Sequence, residues 1–136
     1  MTTLVDAGPL VALIDRGEPE HARCVIAVQE LLGPLLTTWA VYTEAMYLLG
    51  AAGGWVAQDA LWRLSERSDL HLIELDAVMR KTASVLMEKY RDVPMDLADA
   101  TLVALGQSTE VKRVFTLDSD FHIYRFKGKQ AFELIP

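Results

Sequence analysis

Residues 2–15 read TTLVDAGPLVALID. A short apolar run ends at Asp6, and Gly8 and Pro9 then punctuate the chain. The apolar residues that follow are spaced for a short helix over Pro9–Arg16, with proline in its first turn. A strand over Thr2–Asp6 that ends on an acid and passes through a turn into a helix is how a parallel α/β unit begins. In such sheets ligands bind beyond the carboxyl ends of the strands, which is where Asp6 would stand.

The same alternation runs outward from this stretch. Helix is predicted over Pro19–Leu32, Ala40–Leu49, Trp55–Arg67, Ala77–Tyr90 and Leu97–Gln107. The Gly53-Gly54 pair separates the second and third of these, and the fourth ends on the approach to Pro94. Strands are predicted over Leu35–Thr38, Leu70–Glu74, Arg113–Thr116 and Ala131–Ile135. No repeat, linker or low-complexity tract interrupts the pattern. The expectation is one α/β domain spanning residues 1–136, with a mostly parallel central sheet covered by helices on both faces.

The chain is 51% hydrophobic and 24% charged, with a net charge of −6. That composition excludes a disordered tail and a basic nucleic-acid coat. Cys24 is the single cysteine, so no internal disulfide forms, and a reducing, cytoplasmic setting is expected. The start of the chain lacks the basic and apolar blocks of a signal peptide. Leu31–Ala57 carries only one charge, Glu44, but Pro34 and the glycine pair cut it into pieces too short to span a bilayer.

Asp6, Glu44, Asp96, Asp99, Asp118 and Asp120 each have a plain structural role open to them. Asp6 and Asp96 suit helix N-caps. Asp99 suits the first turn of an apolar helix, with Asp96 completing a pair akin to a capping box. Asp118 and Asp120 flank Ser119 in an ordinary turn. Glu44 is harder to explain in this way. Its neighbours at helical spacing are Ala40, Val41, Tyr47 and Leu48, and no Lys or Arg is in reach along that face. A glutamate there stays unionised unless it reaches water, a partner or a cation.

The predicted topology carries these acids to one edge of one sheet, where crowded carboxylates repel each other until a hard divalent cation joins them. An all-oxygen donor set selects Mg²⁺ or Mn²⁺ over zinc. His21, His71 and His122 show no ligand spacing, which excludes a zinc site built on histidine and cysteine.

Read together, the segments resemble the PIN-domain nucleases, and in particular the VapC-type toxins of toxin–antitoxin pairs. The resemblance runs from end to end. "LVDAGPLVALID" is similar to the family's opening strand with its first acid, Asp6. "TTWAVYTEAMYLLG" is similar to the segment that carries the second, Glu44. "DLADATLVALG" resembles the helix that carries the third, Asp99, and "VFTLDSDF" the strand and turn that carry the fourth, Asp118, with Thr116 as a polar helper. "FELIP" resembles the family's final strand.

The resemblance implies a three-layer α/β/α fold and metal-dependent hydrolysis of RNA phosphodiester bonds. It implies Mg²⁺ or Mn²⁺ held mainly by Asp6 and Asp99, with Glu44 and Asp118 completing the site. Asp96 and Asp120 stand as possible sharers, and Glu44 as an alternative positioner of the attacking water. The implied partners are RNA, a cognate antitoxin and a second copy of the chain in a homodimer.

An acidic RNA-binding protein needs an account of its charge. Leaving Asp6, Glu44, Asp96, Asp99 and Asp118 out of the count brings the net charge from −6 to −1. Arg113, Arg125, Lys127 and Lys129 offer a basic flank for phosphates, or simply a solvated surface. Trp39, Tyr42, Trp55 and Trp62 read mostly as core, with one or two available to an interface.

Three other readings compete. An inactive PIN-like interaction module would have no need of Glu44. A phosphoacceptor receiver domain needs an acid beside Asp6 and an acceptor aspartate mid-chain, and the sequence has neither. A haloacid-dehalogenase-like phosphatase needs an acid where Gly8 stands.

Overall fold

The computed structural model describes residues 1–136. Seven strands and five α-helices follow one another along the chain. They are β1 (Thr3–Val5), α1 (Ala7–Ile14), α2 (His21–Glu30), β2 (Leu35–Thr38), α3 (Trp39–Glu66), β3 (Leu70–Ile73), α4 (Ala77–Lys89), α5 (Leu97–Thr109), β4 (Arg113–Phe115), β5 (Arg125–Phe126), β6 (Gln130–Ala131) and β7 (Glu133–Ile135), with a 3₁₀ turn at Ser119–His122.

The main sheet has the order β3-β2-β1-β4-β7, and every pairing in it is parallel. Helices cover it in a three-layer α/β/α arrangement. The first strand is therefore the central one, with Leu4 opposite both Leu36 and Val114. A central strand covered on both faces is apolar without alternation, as Leu4 and Val5 are.

One core of 32 buried apolar residues runs through the molecule. Its densest helix is α5, buried from Ala98 to Gly106. Gly106 makes that depth possible, because a Cβ there would stand 2.8 Å from both Leu4 Cδ1 and Val111 O. The bare backbone lets α5 lie against the central strand, which fixes where its first turn ends up.

Three expectations are corrected. Ala131–Ile135 is not one strand. Gln130–Ala131 turns back antiparallel against β5, and after Phe132 buries itself Glu133–Ile135 joins the main sheet as β7. The glycine pair does separate two helices, as expected, but the break falls at Gly54 alone, at φ 64° and ψ −153°, so the first of them runs on past its expected end at Leu49 through Gly53. A Cβ at Gly54 would meet nothing within 4 Å, so backbone conformation and not space requires glycine there. Thirdly, of the four aromatics read mostly as core only Tyr42 is buried; Trp39, Trp55 and Trp62 are exposed. The rings of Trp39 and Trp62 meet Tyr42 edge-on, with centroids 5.6 and 5.4 Å away. No helix is long and apolar enough to cross a membrane.

Candidate metal centre

Asp6 directly follows β1, and its extended backbone caps α1. Both of its oxygens are fixed. Ala7 N donates to Oδ1 and the Thr116 hydroxyl to Oδ2, each at 2.8 Å. Thr116 stands just past β4, the neighbouring strand, and its hydroxyl oxygen also accepts from Asp118 N at 3.0 Å. Asp118 in turn caps the 3₁₀ turn, its Oδ1 accepting from Asp120 N at 2.9 Å.

Asp99 arrives from the other layer. Asp96 caps α5 by accepting from Asp99 N at 2.8 Å. The Asp99 carboxylate turns inward, where Tyr124 donates its hydroxyl to Oδ2 at 2.9 Å. Asp96 and Asp99 thus take separate places, the first exposed at the helix end and the second 5% exposed.

Asp6, Asp99 and Asp118 meet. One carboxylate oxygen from each lies within 4.8 Å of the others. None of the molecule's ion pairs reaches them. Burial first, and then the negative charges of Asp6 and Asp96, push Asp99 up to about 8 against the pull of the Tyr124 hydrogen bond. Burial likewise raises Asp6, which is opposed by its bonds from Thr116 and Ala7 and assisted by Asp118 and Asp96. Near neutral pH the trio cannot all be charged unless positive charge is added. Three carboxylates with no nitrogen or sulfur donor fit a hard divalent cation.

Glu44 is not in this trio. The stripe that α3 buries is Val41, Tyr42, Ala45 and Leu49, so Glu44 lies at its margin and is exposed. The face expected to be apolar and covered looks outward, with Tyr47 75% exposed and Leu48 40%. The Glu44 carboxyl still senses the centre. Partial burial raises it, followed by the charges of Asp96, Asp6 and Asp118. Asp120 is half-buried and contributes its backbone N–H to Asp118.

The basic flank is elsewhere than expected. Arg113 opens β4 and pairs with Glu133, which opens β7, at 3.0 Å. Both stand at the strand ends opposite the acids. Lys127 pairs with Glu110 at the far end of α5. The Arg125 guanidinium is turned onto the carbonyls of His122 and Tyr124, and Lys129 is exposed beside the β5–β6 turn. Instead, Arg23 of α2, paired with Glu20 at 3.2 Å, and His122 join Thr116, Asp118 and Ser119 around a hollow of about 320 Å³ beside the centre.

Sequence reasoning also missed Tyr124. A buried tyrosine needs a partner for its hydroxyl, but nothing in "FHIYR" says which partner the fold supplies.

With this geometry in view, the chain belongs to the PIN domain family, whose model matches residues 3–127. Among characterised relatives it is 28% identical over 134 residues to Ribonuclease VapC26 of Mycobacterium tuberculosis, covering 98% of this chain and 99% of that one. The fold is shared with VapC20 of Mycobacterium tuberculosis, a sarcin-ricin loop cleaving toxin, at a TM-score of 0.85 and 18% identity over 100% of both chains. It is shared too with a toxin–antitoxin complex from Klebsiella pneumoniae, at a TM-score of 0.66 and 18% identity over 88% of this chain and 89% of that one.

Proposed function

We propose that this protein is a metal-dependent endoribonuclease, the toxin of a toxin–antitoxin pair, using Mg²⁺ or Mn²⁺. The observation that carries this reading is the trio Asp6, Asp99 and Asp118, two of them buried and the third half-buried, three carboxylates fixed by hydrogen bonds and facing one another with no cationic side chain between them. A fold does not require such repulsion, whereas a cation site does.

Asp6 and Asp99 are the principal ligands, and Asp118 completes the set. A divalent cation held there supplies Lewis-acid stabilisation of the phosphoryl oxygens and makes a water nucleophilic near neutral pH. Glu44, at the rim, would accept a proton from the attacking water. The bond from water oxygen to phosphorus would form as the bond from phosphorus to the leaving ribose oxygen breaks, and that oxygen would take up a proton from solvent. Arg23 and His122 lie along the adjoining hollow, where a neighbouring phosphate of the strand binds. The relatives named above, a ribonuclease and toxins of this class, support both the RNA substrate and an antitoxin partner.

The test is to incubate antitoxin-free protein with total cellular RNA in Mg²⁺, in Mn²⁺ and in chelator, beside Asp6→Asn and Asp99→Asn. Discrete cleavage that needs metal and vanishes in both variants is the expected result. Intact RNA with either metal, together with no calorimetric Mn²⁺ binding, overturns the reading.

A further inference from the structure

The three carboxylates are not held equally. Asp6 is fixed at both oxygens, by Ala7 N and by the Thr116 hydroxyl. Asp118 is fixed by the backbone of its own turn. The Asp99 carboxylate has a single partner, the Tyr124 hydroxyl. Whatever sets the orientation of Asp99 does so through that one bond.

Tyr124 is built to hold that direction. It is 0% exposed. Its ring meets Tyr90 and Phe121 edge-on, each with centroids 5.1 Å away. Tyr90 is itself tied down, its hydroxyl oxygen accepting from Arg125 N at 3.0 Å. Phe121 sits in the 3₁₀ turn that Asp118 caps, and Tyr124 N closes that turn onto Asp120 O at 3.2 Å. A single turn therefore presents the Asp118 carboxylate at its start and the Tyr124 hydroxyl at its end, both to the centre.

We infer that Tyr124 is a positioning residue for the cation site: its hydroxyl, locked by Tyr90 and Phe121, orients the Asp99 carboxylate toward Asp6 and Asp118. A partner that orients a metal-binding side chain commonly governs affinity and activity by ~10- to 100-fold. The inference rests on the cation-binding reading of the trio proposed above.

The test uses Tyr124→Phe, which keeps the packed ring and removes one oxygen, beside Tyr90→Phe, which removes a hydroxyl that does not reach Asp99. Mn²⁺ binding is measured by calorimetry on the metal-free proteins, and cleavage is titrated with Mg²⁺. In Tyr124→Phe, Mn²⁺ affinity should fall about tenfold and the Mg²⁺ needed for half-maximal cleavage should rise to match. Saturating Mg²⁺ should recover only part of the lost turnover, and the KM for RNA should stay near wild type. Tyr90→Phe should lower thermal stability and weaken Mn²⁺ binding clearly less than Tyr124→Phe does. Equal Mn²⁺ affinity in wild type and Tyr124→Phe overturns the inference alone, because the cation site then stands without the hydroxyl. Equal losses in the two variants, or failure of Tyr124→Phe to fold, overturn it by assigning the hydroxyl to the core. No Mn²⁺ binding by wild type overturns it together with the function on which it rests.

Discussion

The two ends of the parallel sheet treat charge in opposite ways. At the carboxyl ends of β1 and β4, Asp6 and Asp118 meet Asp99 with no cationic partner, and two of the three are buried. At the amino ends, Arg113 pairs with Glu133 across neighbouring strands, and that pair is partly solvated. A partly solvated pair of opposite charges adds modestly to stability, whereas buried like charges cost stability until something neutralises them. The difference separates surface chemistry from a site, and it does so without regard to how many acids each end contains.

The comparison breaks most sharply at Asp99. Asp99→Asn should lower RNA cleavage by about 100-fold, while the metal-free protein melts at a higher temperature than wild type near neutral pH because folding no longer has to protonate and bury a carboxyl there. The same residue sets a pH dependence. Its carboxyl rises from 3.8 to about 8 on folding, so between those values the folded chain keeps a proton that the unfolded chain releases. The resulting stability is fully present below the lower value and is lost as pH rises through the upper one. Melting in chelator from about pH 5 to about pH 9 should show a falling midpoint that Asp99→Asn flattens.

Thr116→Val is the next largest effect. It strips Asp6 Oδ2 of its donor and Asp118 N of its acceptor. Denaturant unfolding should register a loss of about 1–3 kcal/mol, with weakened Mn²⁺ binding. Glu44→Gln should slow cleavage by about tenfold to a hundredfold, as loss of a proton acceptor does, and leave stability unchanged because the side chain is exposed. The smallest effect sharpens the contrast from the other end. Arg113→Ala should shift stability by no more than about 1 kcal/mol and leave cleavage where it was. A large loss of cleavage in Arg113→Ala would erase the distinction between the two ends.

Much of this was legible in the sequence because local and global signals agree. Asp6 and Asp96 each precede an apolar periodic segment, and each caps a helix. The buried run of α5 and the apolar strands announced a sheet covered on both faces. Other features needed the fold. Glu44 and Tyr47 share a face whose neighbours are apolar, yet the helix buries the adjacent stripe, and a rotation of one residue step is invisible to composition. Arg113 and Lys127 are near the acids in sequence, but strand and helix direction carry them to the far ends. The division of residues 130–135 turns on Phe132, whose burial sends the chain from one small hairpin into another sheet.

The bond from Thr116 to Asp6 spans 110 residues, and it has a consequence for timing. A ribosome releases Asp6 long before it releases Thr116, Asp118 and Tyr124. Helices α1 to α4 can form while translation continues, but a nascent chain that has not yet delivered the segment through Tyr124 holds only Asp6 and Asp99 of the trio, without the hydroxyls that aim them. Assembly by so distant a contact is among the later events of folding. The acidic trio is in this way among the last features of the molecule to be completed.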